Sequence, residues 1–126
     1  MVICSMAKRI PRVVRIGAHD YEVTSCAPKD MDPPSPSSIE ANAKIGRHYT
    51  HYGSYYPGHQ LIELNSELKE SMKAETLLHE ILHVIWELAG LRGLTRRGRE
   101  EDMVQAIGHL LTQTLRDNPG LRRMFT

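Results

Sequence analysis

The run Thr76-Leu77-Leu78-His79-Glu80-Ile81-Leu82-His83-Val84-Ile85-Trp86-Glu87-Leu88-Ala89 decides how the chain is read. Its apolar residues fall into two helical stripes: Leu77, Ile81, Val84 and Leu88 in one, Leu78, Leu82, Ile85 and Ala89 in the other. A helix that is apolar over most of its surface belongs at the centre of a fold. Ser71 is placed to cap its start, and Gly90 stands where a left-handed residue ends a helix. The one conspicuous polar break is the stripe of His79 and His83. Two imidazoles and a carboxylate inside a buried helix need partners, and a metal ion supplies them.

The pattern His79-Glu80-Ile81-Leu82-His83 is H-E-x-x-H. Residues four apart stand on one helix face, one turn apart, so both imidazoles can bind one Zn²⁺. Glu80 leans toward the same rim, where it can reach a water activated by the metal and act as general base. With seven His and ten Glu in the chain, the pattern arises by chance roughly 3% of the time. Its position inside a strong helical pattern sharpens it further. The competing reading is a pair of hydrogen-bonded core histidines, or of histidines on a solvated helix face.

Working outward, a second helix runs from about Gly98 to Arg116, with Asn118-Pro-Gly120 ending it. Its apolar stripe is Val104, Ile107, Leu111 and Leu115, and its first turn holds Glu100, Glu101 and Asp102. Any of the three acids can serve as third metal ligand or simply complement the helix dipole. Glu101 is the first choice, Glu100 the second and Asp102 the third. Glu101, Gln105 and His109 form one row, which makes His109 a further ligand candidate.

Ahead of the motif, Arg12–Gly17 and Tyr21–Cys26 read as a β-hairpin around a Gly17–Asp20 turn. The four prolines within Pro28–Ser38 exclude regular structure, so 27–38 is a Pro-rich loop. A short helix is expected over Ser38–Ile45, a strand over Arg47–Gly53, a turn over Ser54–Gly58 and a strand over Gln60–Asn65. Strands followed by helices give one α+β domain over 1–126, with residues 1–10 as an N-terminal extension.

The segment from His48 to His59 holds four of the five tyrosines. Tyr55, Tyr56 and His59 are candidates to donate a hydrogen bond to the oxyanion of a tetrahedral intermediate. The bland alternative is a half-buried strand with its hydroxyls in water. His48, His51 and His59 lack the spacing of a second metal site. Trp86 is expected to fill space beside the metal helix. The basic run Arg92, Arg96, Arg97 and Arg99 is offset by the acids that follow it.

The 126 residues carry 16 Lys and Arg against 15 Asp and Glu, far from the basic excess of a duplex-binding domain. No apolar run reaches the roughly 20 residues needed to span a bilayer. Cys4 and Cys26 are too few for a disulfide framework, and the N-terminus lacks the order of a signal peptide. A cytoplasmic protein with free thiols is expected.

Thr76-Leu-Leu-His79-Glu80-Ile-Leu-His83 followed by Glu101 resembles the gluzincin-type zinc metallopeptidases. In size, in the Ile62-Glu-Leu-Asn65 strand and in the ending Leu115-Arg-Asp-Asn-Pro119, the chain is similar to minigluzincins and to compact phage-encoded relatives. The resemblance implies a zincin-like fold: a small, twisted, mostly antiparallel sheet on the metal helix, with a second C-terminal helix. It also implies Zn²⁺ on His79, His83 and Glu101, with Glu80 as base, and a peptide or protein substrate aligned along an edge strand, here Arg47–Gly53 or Gln60–Asn65. In a phage-encoded protein the compartment would be the host cytosol. The rival from another class is a zinc-stabilised binding or structural protein without turnover.

Overall fold

The computed structural model describes residues 10–31, 52–96 and 98–126. The expected Ser38–Ile45 helix, most of the Arg47–Gly53 strand, most of the Pro-rich loop, Cys4, His48, His51 and Arg97 lie outside those residues. The architecture is α+β. Strands β1 (Val13–Ile16), β2 (His19–Cys26), β3 (Gly53–Tyr56) and β4 (Leu61–Asn65) precede helices α1 (Glu70–Leu88), α2 (Arg99–Asp117) and α3 (Pro119–Arg123).

The sheet has the order β1-β2-β4-β3. The hairpin β1–β2 is antiparallel, with Ile16 opposite His19 across the Gly17–Ala18 turn. β3 and β4 are also antiparallel, but β2 and β4 run parallel, with Val23 opposite Ile62. The sheet is therefore mixed. Gln60–Asn65 is one of two expected edges, yet β4 lies between β2 and β3, and among the described residues the edges are β1 and β3. Ser54–Gly58, expected as a turn, is divided: its first three residues belong to β3, and only Pro57–His59 turns.

Period-2 alternation puts Tyr21, Val23, Ile62 and Leu64 on one sheet face, where they meet Leu77 and Val84 of α1. Ile62, Leu64 and Val84 are wholly buried, each worth about 1.5–3 kcal/mol of transfer free energy. Neither α1 stripe is covered along its whole length: Leu88, at the end of the first, is exposed, and the second is divided. Leu82 is buried, whereas Ile85 is exposed, because among the described residues α1 is covered on the sheet side and the α2 side only. The helix starts at Glu70 without a side-chain cap, so Ser71 does not serve as one. Gly90 has φ +74, as its place after the helix required.

Gly53 is where the edge strand β3 presses on α1. A Cβ there would lie 2.8 Å from Thr76 Cγ2 and 2.9 Å from the Glu63 carbonyl oxygen. Gly53→Ala is expected to cost about 1–3 kcal/mol, read as a fall in thermal midpoint. The control Gly58→Ala, where a Cβ meets nothing within 4 Å, should leave the midpoint in place. Equal midpoints for both variants would mean that β3 does not seat on Thr76 as described.

Candidate metal centre

His79 and His83 project from one face of α1, and their Nε2 atoms stand 3.2 Å apart. Glu101, in the first turn of α2, faces both. Its Oε1 lies 2.9 Å from His79 Nε2 and its Oε2 2.8 Å from His83 Nε2. One ligand atom from each of the three residues lies within 4.8 Å of the others. Among the described residues the group has these three members. It opens outward, since the Glu101 side chain is 58% exposed and that of His83 only 13%.

Two local features bring α2 to this position. Gly98, at φ +85, turns the chain into the helix. Two turns beyond Glu101, Gly108 lets α2 approach α1, because a Cβ there would sit 3.4 Å from Leu82 Cδ1 and 4.0 Å from His79 Cα. Val104 is buried in the same contact, whereas Ile107 is exposed. The close approach at Gly108 turns the contact line onto Val104 and Gly108 and leaves Ile107 outside the expected stripe.

The donor chemistry of the group fits a cation. A carboxylate only accepts hydrogen bonds, so each imidazole bonded to Glu101 must offer it an Nε2–H. With both N–H groups given to Glu101, the 3.2 Å between the two nitrogens is a contact of one donor with another. A single cation turns all three groups into ligands. Two zinc–nitrogen bonds at a tetrahedral angle would separate the nitrogens by about 3.3 Å.

The charges around the group are coupled. Burial disfavours an imidazolium at His83, but its contacts with Glu101 and Glu100 outweigh that and push it up to about 9. Burial likewise acts to raise Glu101, and the two imidazoles overcome it and hold the carboxyl well below the usual range. Glu80 is buried beside them, and burial raises its carboxyl, with His79 and His83 pulling the other way.

Glu100 faces the opposite edge of the His83 ring. The His83 Nδ1–H donates to Glu100 Oε2 at 2.7 Å, and Arg92 Nε donates to Glu100 Oε1 at 2.9 Å. Arg92 also lies 3.6 Å from Glu87, whose other oxygen accepts the Tyr55 hydroxyl at 2.6 Å. Burial and this hydrogen bond raise the Tyr55 phenol well above its ordinary value. Tyr56 donates to Glu63 at 3.1 Å, and His59 is exposed in the Pro57–His59 turn. The structure thus gives both tyrosine hydroxyls carboxylate partners outside the group of His79, His83 and Glu101. Asp102 is exposed and lies outside that group. His109 bonds Glu75 at 3.2 Å and is largely exposed.

No family model matches the chain, and no curated protein or solved structure does either. The case for a metal rests on the chain's own geometry.

Glu87 and Arg92 were not singled out from sequence as parts of the site. Glu87 follows His83 by four residues and so shares its face, a signal that was available. Arg92 sits in the Leu91–Gly93 turn, and its reach back to Glu100 depends on how that turn folds. Trp86 is half-buried and helps fix the turn: its indole N–H donates to Thr95 Oγ1 at 3.0 Å, and the Thr95 hydroxyl donates to the Leu91 carbonyl at 2.7 Å.

Proposed function

We propose that the chain is a zinc-dependent peptidase of gluzincin type with a zincin-like fold, in which His79, His83 and Glu101 hold the ion. The observation that supports this best is the convergence of these three side chains beside a buried glutamate that is not among them. Bound zinc supplies Lewis acidity, which polarises a scissile carbonyl and acidifies water. Glu80 takes the proton of the attacking water and delivers it to the departing amine. The edge strand β3 is the strand along which an extended peptide would align, and its Gly53 seats on Thr76, one turn before His79. Tyr55, Tyr56 and His59 receive no step. Glu100 and Arg92 occupy each other, which takes one cation out of any phosphate-binding surface. No helix among the described residues is long and apolar enough to cross a membrane.

A second reading is a zinc-stabilised binding protein without turnover. The observation favouring it is apolar exposure near the C-terminus, where Leu121, Met124 and Phe125 are open to solvent. The deciding experiment is elemental analysis of tag-free, zinc-reconstituted protein together with cleavage of a denatured fluorescent casein. About one zinc per chain with chelator-sensitive cleavage supports the peptidase. Zinc without cleavage favours the binding protein, and protein that holds no zinc removes both.

A further inference from the structure

The carboxylate of Glu100 is as close to His83 as that of Glu101, yet it meets the other ring nitrogen. An oxygen bonded to Nδ1 lies on the opposite edge of the imidazole from an ion at Nε2. One carboxylate cannot occupy both places. Glu100 is also committed on its second oxygen, where Arg92 Nε donates at 2.9 Å, and Arg92 adds a longer contact to Oε2 at 3.5 Å. The Glu100 and His83 side chains are 21% and 13% exposed, so water competes little for this bond.

We propose that Glu100, clamped by Arg92, is the positioning residue that holds the Nδ1–H of His83 and thereby aims Nε2 at the ion shared with His79 and Glu101. This rests on the metal reading above. A neutral histidine has one proton for two nitrogens, and the partner of one nitrogen decides the state of the other. Glu100 accepts that proton's hydrogen bond at Nδ1, which leaves the Nε2 lone pair for the metal. The same bond fixes the ring about its Cβ–Cγ axis and makes the coordinating nitrogen more basic.

The clamp extends away from the ion. Arg92 bridges Glu100 to Glu87, and Glu87 accepts the hydroxyl of Tyr55 on β3. A chain of charged and hydrogen-bonded groups therefore joins the edge strand, the Leu91–Gly93 turn and the metal helix behind one ligand. Arg92 touches no ligand atom, and its influence on the ion passes through Glu100.

The test is the zinc Kd, measured by competition with a chromophoric chelator at fixed pH, for wild type, Glu100→Ala, Glu100→Gln, Arg92→Met and Glu101→Ala. Loss of an orienting partner typically weakens metal binding about 10–100-fold, and that loss is expected for Glu100→Ala with one zinc still bound at saturation. Glu100→Gln should stay within a few-fold of wild type, because its amide oxygen still accepts the Nδ1–H. Arg92→Met should fall between them. Wild-type affinity in Glu100→Ala overturns the proposal, even if its metal-free thermal midpoint drops, since that pattern is a structural role only. Complete loss of zinc in Glu100→Ala with retention in Glu101→Ala also overturns it, because Glu100 is then a ligand. If Glu100→Ala does not fold, nitrogen-15 NMR of zinc-loaded wild type decides: a protonated Nδ1 and a metal-bound Nε2 on His83 are expected, and the reverse tautomer overturns the assignment. Wild type that binds no zinc sinks the metal reading itself, an outcome distinct from all of these.

Discussion

Glu80→Gln is expected to keep about one zinc per chain and to lose peptide hydrolysis by a factor of about 10²–10⁴. The substitution is isosteric and leaves His79, His83 and Glu101 in place. It removes only the ability of residue 80 to take up a proton. Glu80 is buried, at 8% exposure, and burial raises its carboxyl. A carboxylate kept out of water costs stability unless it is well partnered, and a neutral amide costs less. The metal-free Glu80→Gln protein should therefore melt no lower than wild type, so lost turnover cannot be ascribed to unfolding. Zinc by mass spectrometry, thermal midpoint and casein cleavage on the same preparation check all three statements. Wild-type turnover in the variant would remove Glu80 from the mechanism. The same experiment separates the two functional readings, because a binding protein has no turnover for Glu80→Gln to lose.

The parts of the fold that were legible in the sequence are those in which a local pattern and the tertiary environment agree. In β2 the alternation of Tyr21 and Val23 with exposed neighbours matches a sheet with one buried face. In α1 the 3.6-residue spacing places Leu77, Ile81 and Val84 against that sheet and leaves His79 and His83 on a different face. Glu101 was legible for a similar reason: it lies in a first turn, two turns before the point where α2 touches α1. The failures are places where distant chain decides. Tyr55-Tyr56-Pro57-Gly58 has strong turn chemistry, but pairing with Leu61 and Ile62 carries both tyrosines into β3. The parallel pairing of β2 with β4 has no local signature, since either direction buries the same residues. Glu100 and Glu101 are adjacent and chemically alike. Only the packing of α2 on α1 sends one to the Nε2 side and the other to Nδ1.

His83→Ala is expected to abolish stoichiometric zinc binding. Apparent zinc binding of about 10–16 kcal/mol in full four-ligand sites corresponds to roughly 3 kcal/mol for each ligand, so losing one of three weakens binding by at least about 10²-fold. The effect here should be larger, because His83 is also the group that separates two acids. Its ring lies between Glu100 at 2.7 Å and Glu101 at 2.8 Å. Without it, three carboxylates, Glu80 included, face a site in which His79 is the one remaining imidazole among the described residues. The metal-free variant is therefore destabilised as well, and zinc content alone would not separate lost ligation from a damaged fold. A chelator does. Zinc at about a thousand times its Kd stabilises wild type by about 4 kcal/mol, and stripping it should lower the midpoint by about 10–20 °C. The midpoint of His83→Ala should not respond to the chelator, whatever its starting value. A wild-type protein indifferent to chelation would mean that Glu101 holds the two histidines as an ion-paired cluster and no metal is part of the fold.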